Sequence, residues 1–246
     1  MLYLIGIDDT DNLESRGTGF VGRTMGAAIN AAGLGICGGI SRHQLLFDQR
    51  VPYTSHNSSL CLEVESEKPS EMWNFMIDFL LDACAPGSDC GLCMVEADKV
   101  PTSVVKWGQK AKRDLVKQAD AFKLAKKENI RLIGLTGNHD GVIGSMAAVG
   151  LRSSGEDGRF VSLKGVDVRE ISGVMNLRQL QKLVHLDQIM TNEGMVLDEK
   201  TPVSLEGWLR PVHRKGLITL IVNKIENNNE YEYQLAPKEY IKSISD

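Results

Sequence analysis

Apolar residues occur in short runs along most of the chain, and their spacing changes from run to run. Residues 2–7 (LYLIGI) are almost continuously apolar and predict a buried β-strand. Residues 59–65 (SLCLEVE) alternate apolar and polar positions, which is the period of a half-exposed strand. Residues 35–47, which contain glycine, and residues 91–97 and 130–137 predict three more strands.

Other segments have apolar residues spaced three or four positions apart, which is the helical period. Residues 69–84 show it best, and Ser70 before Glu71 predicts a capped, amphipathic helix. Residues 19–32 are rich in alanine and small residues, and residues 141–152 follow a glycine turn, so both predict helices. Residues 102–128 predict two helices with Lys and Arg on their polar faces.

A polar stretch with two glycines, residues 152–159 (RSSGEDGR), interrupts this pattern and predicts a domain boundary. Beyond it the chain predicts a strand at 160–168, a helix at 176–186, strands near 203–213 and 217–225, and a hairpin turn at 226–230 (ENNNE). We therefore predict an α/β domain over residues 1–155 and a smaller α+β domain over residues 156–246.

Composition narrows the class of protein. The chain has 246 residues, of which 42% are hydrophobic, and a formal net charge of −4. No apolar run reaches the length of a membrane span, and no basic segment leads into an apolar signal core, so we expect a cytoplasmic protein. The five cysteines are odd in number and irregular in spacing, which favours a reducing compartment.

The mild acidity argues against a broad nucleic-acid footprint, because such proteins usually carry an excess of Lys and Arg. Residues 106–127 are the most basic segment of the chain. This segment could attract nucleic acid or nucleotide phosphates, although a solvated helix face is the more ordinary interpretation.

The first predicted strand is followed by three carboxylates, Asp8, Asp9 and Asp11, within four positions. Crowded carboxylates repel one another unless a positive charge lies between them. Mg²⁺ prefers carboxylates and water, and it brings phosphate substrates with it. The cluster therefore predicts a magnesium site at the end of the strand, where open α/β sheets bind ligands. An Asx turn that only ends the strand is the alternative.

The next residues strengthen the functional interpretation. Arg16, Gly17, Thr18 and Gly19 come directly before a predicted helix. Glycines allow backbone N–H groups to approach an anion, and the N-terminus of a helix favours negative charge. An acidic cluster beside such an anion site is typical of a nucleotide-phosphate site.

A second glycine turn, in residues 134–150 (GLTGNHDGVIGSMAAVG), repeats the order strand, turn, helix. Gly137, Asn138, Gly141 and Gly144 could present further amides to phosphate. The pattern lacks the Gly-Lys-Ser/Thr of a Walker motif. A tight turn with glycines for close packing is the alternative, and the phosphate interpretation gains if both turns line one cleft. His139 and Asp140 could assist the chemistry, although solvent exposure is the commoner outcome.

Cysteine and histidine give weaker signals. Cys90 and Cys93 have the Cys-x-x-Cys spacing of zinc or redox sites, and Cys84 precedes them. A structural role is favoured, with Cys93 buried in a strand as a small hydrophobic residue. His43 and His56 flank residues 51–55 (VPYTS) and could lie near the cleft, although we favour surface positions for both.

Several of these motifs together resemble the archaeal tRNA-isoleucine agmatinylcytidine synthetase (TiaS) family. The resemblance covers about residues 1–150 and rests on IGIDDTD, the following Arg-Gly, RHQLLFDQRVPYTSHNSS and GVIGSMAAVG, in that order. It implies a kinase-like N-terminal domain that uses ATP and Mg²⁺ to phosphorylate a cytidine before agmatine displaces the phosphate. It also implies that Asp8, Asp9 and Asp11 belong to the metal–ATP site, with Arg16 near the phosphates.

The family continues with a ferredoxin-like domain, an OB-fold and a zinc ribbon that help to hold tRNA. The resemblance implies that residues 156–246 correspond to the ferredoxin-like part, and we expect the OB-fold and zinc ribbon to be absent from this chain. The sequence departs from the family motif by having only Thr18 where paired threonines follow the Arg-Gly. It also has an uncharged PYTSHNSS where the family has a basic stretch.

We therefore predict an ATP- and Mg²⁺-dependent phosphotransferase whose acceptor, a small molecule or an RNA base, the sequence does not identify. One alternative is a non-catalytic module that binds nucleotide and has lost turnover. Another is a Mg²⁺-dependent phosphohydrolase, since Asp9-Thr10-Asp11 matches the Asp-x-Asp of haloacid-dehalogenase-type enzymes. Those enzymes also need a later Lys and an acidic pair, and the sequence offers no clear candidate for the pair.

Overall fold

The structure is a computed structural model that describes residues 1–51, 56–225 and 231–245. Within these ranges thirteen strands join one sheet, whose main path runs β5-β4-β1-β3-β2-β6-β11-β12-β13-β10-β8. The strands are β1 (Leu2–Asp8), β2 (Ile36–Gln44), β3 (Ser58–Glu65), β4 (Gly91–Glu96), β5 (Arg131–Gly134), β6 (Arg159–Leu163), β7 (Val166–Asp167), β8 (Val174–Met175), β9 (Gln188–Thr191), β10 (Val203–Ser204), β11 (Val212–Arg214), β12 (Leu217–Lys224) and β13 (Tyr233–Leu235).

The same ranges contain seven α-helices, so the predicted mixed α and β composition is confirmed. They are α1 (Thr18–Ala31), α2 (Pro69–Ala83), α3 (Thr102–Ala111), α4 (Gln118–Lys127), α5 (Val142–Ser153), α6 (Leu177–Leu180) and α7 (Lys238–Ser245). No described helix has both the length and the apolar character that crossing a membrane requires.

The N-terminal half of the sheet is antiparallel, whereas the ligand site was predicted by reference to open α/β sheets. β1 runs antiparallel to both β3 and β4, and β4 runs antiparallel to β5. β1 and β5 therefore point the same way on either side of β4, with Asp8 opposite Gly91 and Gly91 opposite Gly134. Because neighbouring strands lie about 5 Å apart, the turns after β1 and β5 begin about 10 Å from each other.

Helices cover both faces of this half of the sheet. One core packs α1 and α2 against the face that carries Ile5 and Ile7. The other packs α3, α4 and α5 against the face that carries Leu4, Cys61 and Cys93. Alternate residues of β1 therefore enter opposite cores, which explains why residues 2–7 are almost continuously apolar.

Helix α2 forms where the sequence predicts it, but its N-terminus differs from the prediction. The predicted serine cap is wrong, because the helix begins earlier, at Pro69, after Lys68, and no side chain caps its first turn. Proline suits the first helical position, since the N–H that it lacks would have no partner within the helix. The buried face consists of Met72, Met76 and Leu80, at the predicted four-residue spacing.

The C-terminal half has its own core, built from residues between Phe160 and Tyr233. The predicted strand at 203–213 is wrong, because β10 and β11 are separated by a loop in which Gly207 has φ +102°. The predicted helix at 176–186 is wrong beyond Leu180, although Val184 and Leu186 in the remainder are buried.

The sequence analysis also missed β8, β9 and α7 in this half. The predicted hairpin turn at 226–230 lies outside the described residues. β6 pairs with β2 and so continues the N-terminal sheet into this half. The predicted division at residue 155 stays a prediction.

Candidate functional site

The acidic turn begins where β1 ends. Asp9 has a left-handed backbone conformation, with φ +53°, which is uncommon for a residue with a side chain. The strand therefore stops at Asp8 and the chain turns toward α1. The Asp9 N–H donates a hydrogen bond to the Asp8 carboxyl, and the Asp89 N–H donates one to the Asp9 carboxyl.

Asp11 connects this turn to the first helix. Its Oδ1 accepts hydrogen bonds from the Thr18 hydroxyl at 2.7 Å and from the Thr18 N–H at 3.3 Å. The Thr10 hydroxyl donates to the Thr18 hydroxyl at 3.1 Å. Gly17 precedes the helix, and an added Cβ there would lie 3.9 Å from Asp11 Oδ2. A carboxylate thus already lies at the N-terminus of α1, where the helix dipole favours negative charge.

Two carboxyl groups of the turn, those of Asp8 and Asp9, have raised pKa values. Burial, followed by the charge of Asp9, raises the pKa of Asp8 well above its usual value. Burial also raises the pKa of Asp9 to about 6, with added repulsion from Asp89 and Asp11. Such shifts arise where carboxyl groups are buried close to other carboxylates. A bound cation would reverse this penalty, so the cluster has the electrostatics of a cation site.

All three aspartates border a cavity of about 400 Å³. It lies between the C-terminal ends of β1 and β2 and the segment that joins α3 to α4. Asp140 and Gly141 of the second glycine turn lie on the same cavity, so the two turns line one cleft, as the sequence analysis required. Apolar side chains form much of the wall, and two basic residues also line the cavity. The apolar residues are Leu45, Leu46, Val51, Ala111, Leu115, Val116 and Ile143, and the cations are Arg50 and Lys117.

The second turn is held by a short loop that the sequence analysis did not single out. This loop, residues 85–89, joins α2 to β4, and we call it the clasp. Asp89 Oδ1 accepts the Asn138 N–H at 2.6 Å, and the Asp89 carbonyl accepts the Gly141 N–H at 2.8 Å. Two of the amides predicted to bind phosphate therefore have protein partners in this structure.

The glycines of the second turn permit close packing. A Cβ on Gly141 would lie 2.6 Å from the Asp89 carbonyl oxygen, and one on Gly144 would lie 1.8 Å from Asp8 Oδ2. Gly137 has φ +54°, and a Cβ there would lie 1.8 Å from Asp89 Oδ1. The packing interpretation of these glycines is thus supported, and it brings α5 directly against the acidic turn. Their predicted contact with phosphate stays a prediction.

Arg16 lies apart from the acidic cavity. It is exposed, and its guanidinium stacks 3.7 Å from the centre of the Phe20 ring. It borders a second cavity of about 550 Å³, together with Thr10, Phe79 and Cys84. Among Gly17, Thr18 and Gly19, Thr18 borders the acidic cavity. The structure therefore brings the aspartates and Thr18 together but leaves Arg16 on the neighbouring surface.

The residues at the acidic turn suit Mg²⁺ better than they suit a metal ion whose ligands all come from the protein. Among the described residues, no three acidic, histidine or cysteine side chains form a ready-made metal site. Mg²⁺ usually uses one or two carboxylates and takes its other ligands from water and substrate phosphates. Asp8 and Asp9, two neighbouring carboxyl groups that both border the cavity, fit that requirement.

The two histidines differ in position: His56 is exposed, as the surface interpretation predicted, and His43 is not. His56 borders the acidic cavity. His43 is fully buried, with Nε2 2.8 Å from the Ser41 hydroxyl and Nδ1 2.8 Å from Asp157 Oδ1. A surface position is therefore wrong for His43. Residues 52–55 (PYTS), part of the motif that carries the family resemblance, lie outside the described residues.

Three further residues at the site, Asp89, Arg50 and Lys117, were not predicted from the sequence. Asp89 lies on a different loop from the acidic turn, and its role depends on contacts that are distant in sequence. Lys117 belongs to the basic segment 106–127, so the charge of that segment was the available signal. Lys112, in the same segment, is instead paired with Asp157 at 2.5 Å.

All five cysteines are free. Cys93 is fully buried in β4, as the structural interpretation predicted. Cys84 is half-buried directly after α2, and Cys90 is buried directly before β4, so the two residues flank the clasp.

Comparison with known proteins links this fold to solved structures. No protein-family model matches the chain, and no curated protein matches it. A tRNA fluorescent labelling enzyme aligns with a TM-score of 0.55 and 23% identity over 61% of this chain and 36% of its own. Apo TiaS, an agmatidine synthetase for an isoleucine tRNA, aligns with a TM-score of 0.55 and 21% identity over 61% of this chain and 35% of its own.

A complex of TiaS with isoleucine tRNA and ATP also aligns, with a TM-score of 0.55 and 22% identity over 61% of this chain and 36% of that one. At this level of identity the likeness concerns the fold. The chain spans about a third of the length of these structures. The predicted resemblance is therefore confirmed at the level of fold: about three-fifths of this chain is folded like part of TiaS.

Proposed function

We propose that this protein is an ATP- and Mg²⁺-dependent phosphotransferase whose acceptor is a small molecule or an RNA base. The observation that carries the proposal is the convergence of the two turns on one cavity. Asp8, Asp9 and Asp11 line it from the first turn, and Asp140 and Gly141 line it from the second. The similarity of fold to a TiaS chain in complex with ATP and an isoleucine tRNA supports the choice of ligands.

The cavity suits a nucleotide in size and chemistry. Its volume of about 400 Å³ lies in the range of small-molecule sites. Its apolar wall would accept a base and part of a sugar. Lys117 and Arg50 would attract the phosphates, and an acidic end would require a cation between itself and them.

Asp8 and Asp9 would hold Mg²⁺, and Asp11 would keep α1 in register with them through Thr18. A bound Mg²⁺ supplies charge neutralisation for a transferred phosphoryl group. Asp89 keeps Asp9 oriented through its N–H. Arg16 and Gly17–Gly19 keep their proposed role at the phosphates, as do Gly137, Asn138, Gly141 and Gly144. A kinase-like domain over residues 1–155, a ferredoxin-like domain over 156–246 and a cytoplasmic location also belong to this proposal.

Calorimetry with Mg²⁺-ATP, followed by assays of phosphoryl transfer to tRNA and to small hydroxyl and amide compounds, tests the function. The triple variant Asp8→Asn, Asp9→Asn, Asp11→Asn should lose nucleotide binding, because it removes the charge that holds the cation. Asp78→Asn with Asp82→Asn, on the exposed face of α2, is the matched control. Unchanged binding and turnover in the triple variant would exclude the proposed site.

A phosphohydrolase is a second candidate, because Lys117 and Asp140 lie on the same cavity as Asp9. Such an enzyme would form a phospho-aspartate on Asp9, which mass spectrometry after rapid quenching would detect. Tight nucleotide binding without transfer or hydrolysis would instead identify a non-catalytic binding module. The three functions therefore give different results with the same purified protein.

A further inference from the structure

A chain of hydrogen-bonded polar side chains lies beside the candidate cavity. The Ser41 hydroxyl is 2.8 Å from His43 Nε2, and His43 Nδ1 is 2.8 Å from Asp157 Oδ1. Lys112 Nζ donates to the other carboxylate oxygen of Asp157 at 2.5 Å. Because a carboxylate only accepts hydrogen bonds, Nδ1 carries the proton, and Nε2 of the neutral ring accepts from the serine. Asp157 therefore joins two fully buried residues of β2 to the residue that follows α3.

The carboxylate of this chain belongs to a loop that the C-terminal half holds in place. We call residues 154–158, which join α5 to β6, the junction loop. The turn between β11 and β12 contacts it twice. The Lys215 N–H donates to Glu156 Oε1 at 3.0 Å. The Gly216 N–H donates to the Gly155 carbonyl, also at 3.0 Å. The position of the carboxylate therefore depends on how the β11–β12 hairpin lies on the junction loop.

The junction loop packs directly on the imidazole. Gly158 has φ +100°, and a Cβ there would lie 2.5 Å from His43 Cε1. The side chains of Lys112 and Asp157 are 19% and 13% exposed, so water screens this ion pair less than it screens a surface pair. A shift of the loop would break both contacts of Asp157 and leave a largely buried ammonium group without its carboxylate. The loop and the end of α3 are therefore expected to move together.

The ammonium group of the chain belongs to the segment that lines the cavity. Lys112 directly follows α3, and residues 112–117 lead from there to α4. The Leu46 N–H donates to the Ala111 carbonyl at 3.1 Å, and both residues border the cavity. Further cavity residues in the segment are Asp114, Leu115, Val116 and Lys117. The ion pair thus anchors the segment that carries Lys117, the residue proposed to attract phosphate.

We propose that Asp157 is a positioning residue through which the C-terminal half of the chain sets the place of Lys117 in the nucleotide cavity. This inference rests on the proposed function. Asp157 acts through Lys112, because it is not among the described residues that border the cavity. Groups that bind a ligand keep their geometry when neighbouring residues hold them. The nucleotide site therefore draws on a contact that lies beyond the predicted domain of residues 1–155.

Two single variants break the ion pair from opposite sides. Asp157→Asn keeps an acceptor for the His43 ring but removes the charge that holds Lys112. Lys112→Met removes the ammonium group and keeps an apolar stem. Each should weaken Mg²⁺-ATP binding to the full chain about tenfold in calorimetry, the usual effect of losing one charge-assisted contact. Lys110→Met, in the exposed last turn of α3, is the matched control and should bind as the wild type does. Wild-type affinity in both folded variants would overturn the proposal.

A double-mutant cycle separates positioning from general support of the fold. If Asp157 acts through Lys117, adding Asp157→Asn to Lys117→Met should weaken nucleotide binding no further than Lys117→Met alone. A residue that only supports the fold would weaken binding by the same factor in both backgrounds. Losses that multiply in the double variant would therefore reject the positioning role.

Hydrogen exchange of residues 113–117 tests the anchor without any nucleotide. Asp157→Asn should speed exchange in this segment about tenfold and leave β1 and β3 unchanged. Glu156→Ala, which frees the Lys215 amide, should speed it by a smaller factor. Unchanged exchange in Asp157→Asn would disprove the anchor, and unchanged exchange in Glu156→Ala would disprove the part assigned to the C-terminal half. If the wild type binds no nucleotide, the proposed function fails, while the exchange rates still decide whether Asp157 holds the segment.

Discussion

At the residue scale, the charge of Asp9 would serve a cation site, but the same charge destabilises the ligand-free protein because the carboxyl group is partly buried. Its pKa of about 6 exceeds its usual value of 3.8, so between those values the folded chain binds more protons than the unfolded chain. The contribution of Asp9 to stability is therefore most favourable below pH 4. It declines as the pH rises through this window and stays unfavourable above pH 6.

Asp9→Asn should consequently stabilise the ligand-free protein at pH 7.5 by about 1 kcal/mol, a value reduced for the solvent access of this half-buried group. The corresponding rise in Tm is about 2 °C for a chain of this size, and it should shrink as the pH falls from 6 to 4. Differential scanning calorimetry across this pH range measures the change, with Asp78→Asn as the control. A lower Tm for Asp9→Asn at pH 7.5 would contradict the cause assigned to the raised pKa.

Lys117 and Arg16 offer a second test at the residue scale, because both are candidates for phosphate contact but border different cavities. Lys117→Met should weaken Mg²⁺-ATP binding about tenfold, the usual effect of losing one charge-assisted contact. Arg16→Met should have a smaller effect on binding if Arg16 stays over Phe20. Calorimetric affinities of the two variants compare these contributions, and equal losses would show that Arg16 moves to the phosphates.

At the scale of elements, α5 packs against β1 through glycine contacts that differ in what they would displace. A Cβ on Gly6 would lie 1.8 Å from the backbone carbonyl oxygen of Ser145, which cannot move without the helix. A Cβ on Gly144 would lie 1.8 Å from Asp8 Oδ2, which belongs to a side chain that can rotate. The same added methyl group should therefore act on the helix position in one case and on the site in the other.

Gly6→Ala should lower the free energy of unfolding by about 3 kcal/mol, as overpacking in a core does. Gly144→Ala should cost less stability but abolish Mg²⁺-dependent nucleotide binding, because it displaces the Asp8 carboxyl. Urea denaturation and calorimetry give the two quantities, and Gly38→Ala, where the nearest atom is 3.6 Å away, is the control. Intact binding in a well-folded Gly144→Ala protein would remove Asp8 from the cation site.

These contacts also show what could be predicted from the sequence. Strong local patterns predicted β1, β3 and α5 well, and the acidic turn was recognised from adjacent residues. Asp89 could not be found in this way, because its partners Asp9 and Asn138 come from other segments and meet it only in the folded sheet. The C-terminal half, where the hydrophobic pattern is weaker, was predicted poorly. Several of its strands have two or three residues, which is too short to show a periodicity.

At the scale of the whole molecule, a buried ion pair joins the parts of the sheet. Arg152, at the end of α5, is 5% exposed, and its Nη2 lies 2.6 Å from Glu63 Oε2 of β3. Its guanidinium also lies 4.6 Å from the centre of the Phe160 ring in β6, the first strand of the C-terminal half. Nη1 has no hydrogen-bond partner among the described residues. Glu63 is 31% exposed, so the two charges differ in their access to water.

That asymmetry determines the effect of removing each partner. Glu63→Ala should cost about 3 kcal/mol, because it leaves a buried guanidinium without its carboxylate. Arg152→Met should cost about 1 kcal/mol, because water can reach the remaining carboxylate and the methionine fills the space beside Phe160. The double variant should be more stable than Glu63→Ala alone, since it no longer buries an unpaired charge. Urea denaturation of the four proteins gives the coupling energy, and a Glu63→Ala protein as stable as the wild type would show that Phe160 and the neighbouring backbone hold Arg152 without the ion pair.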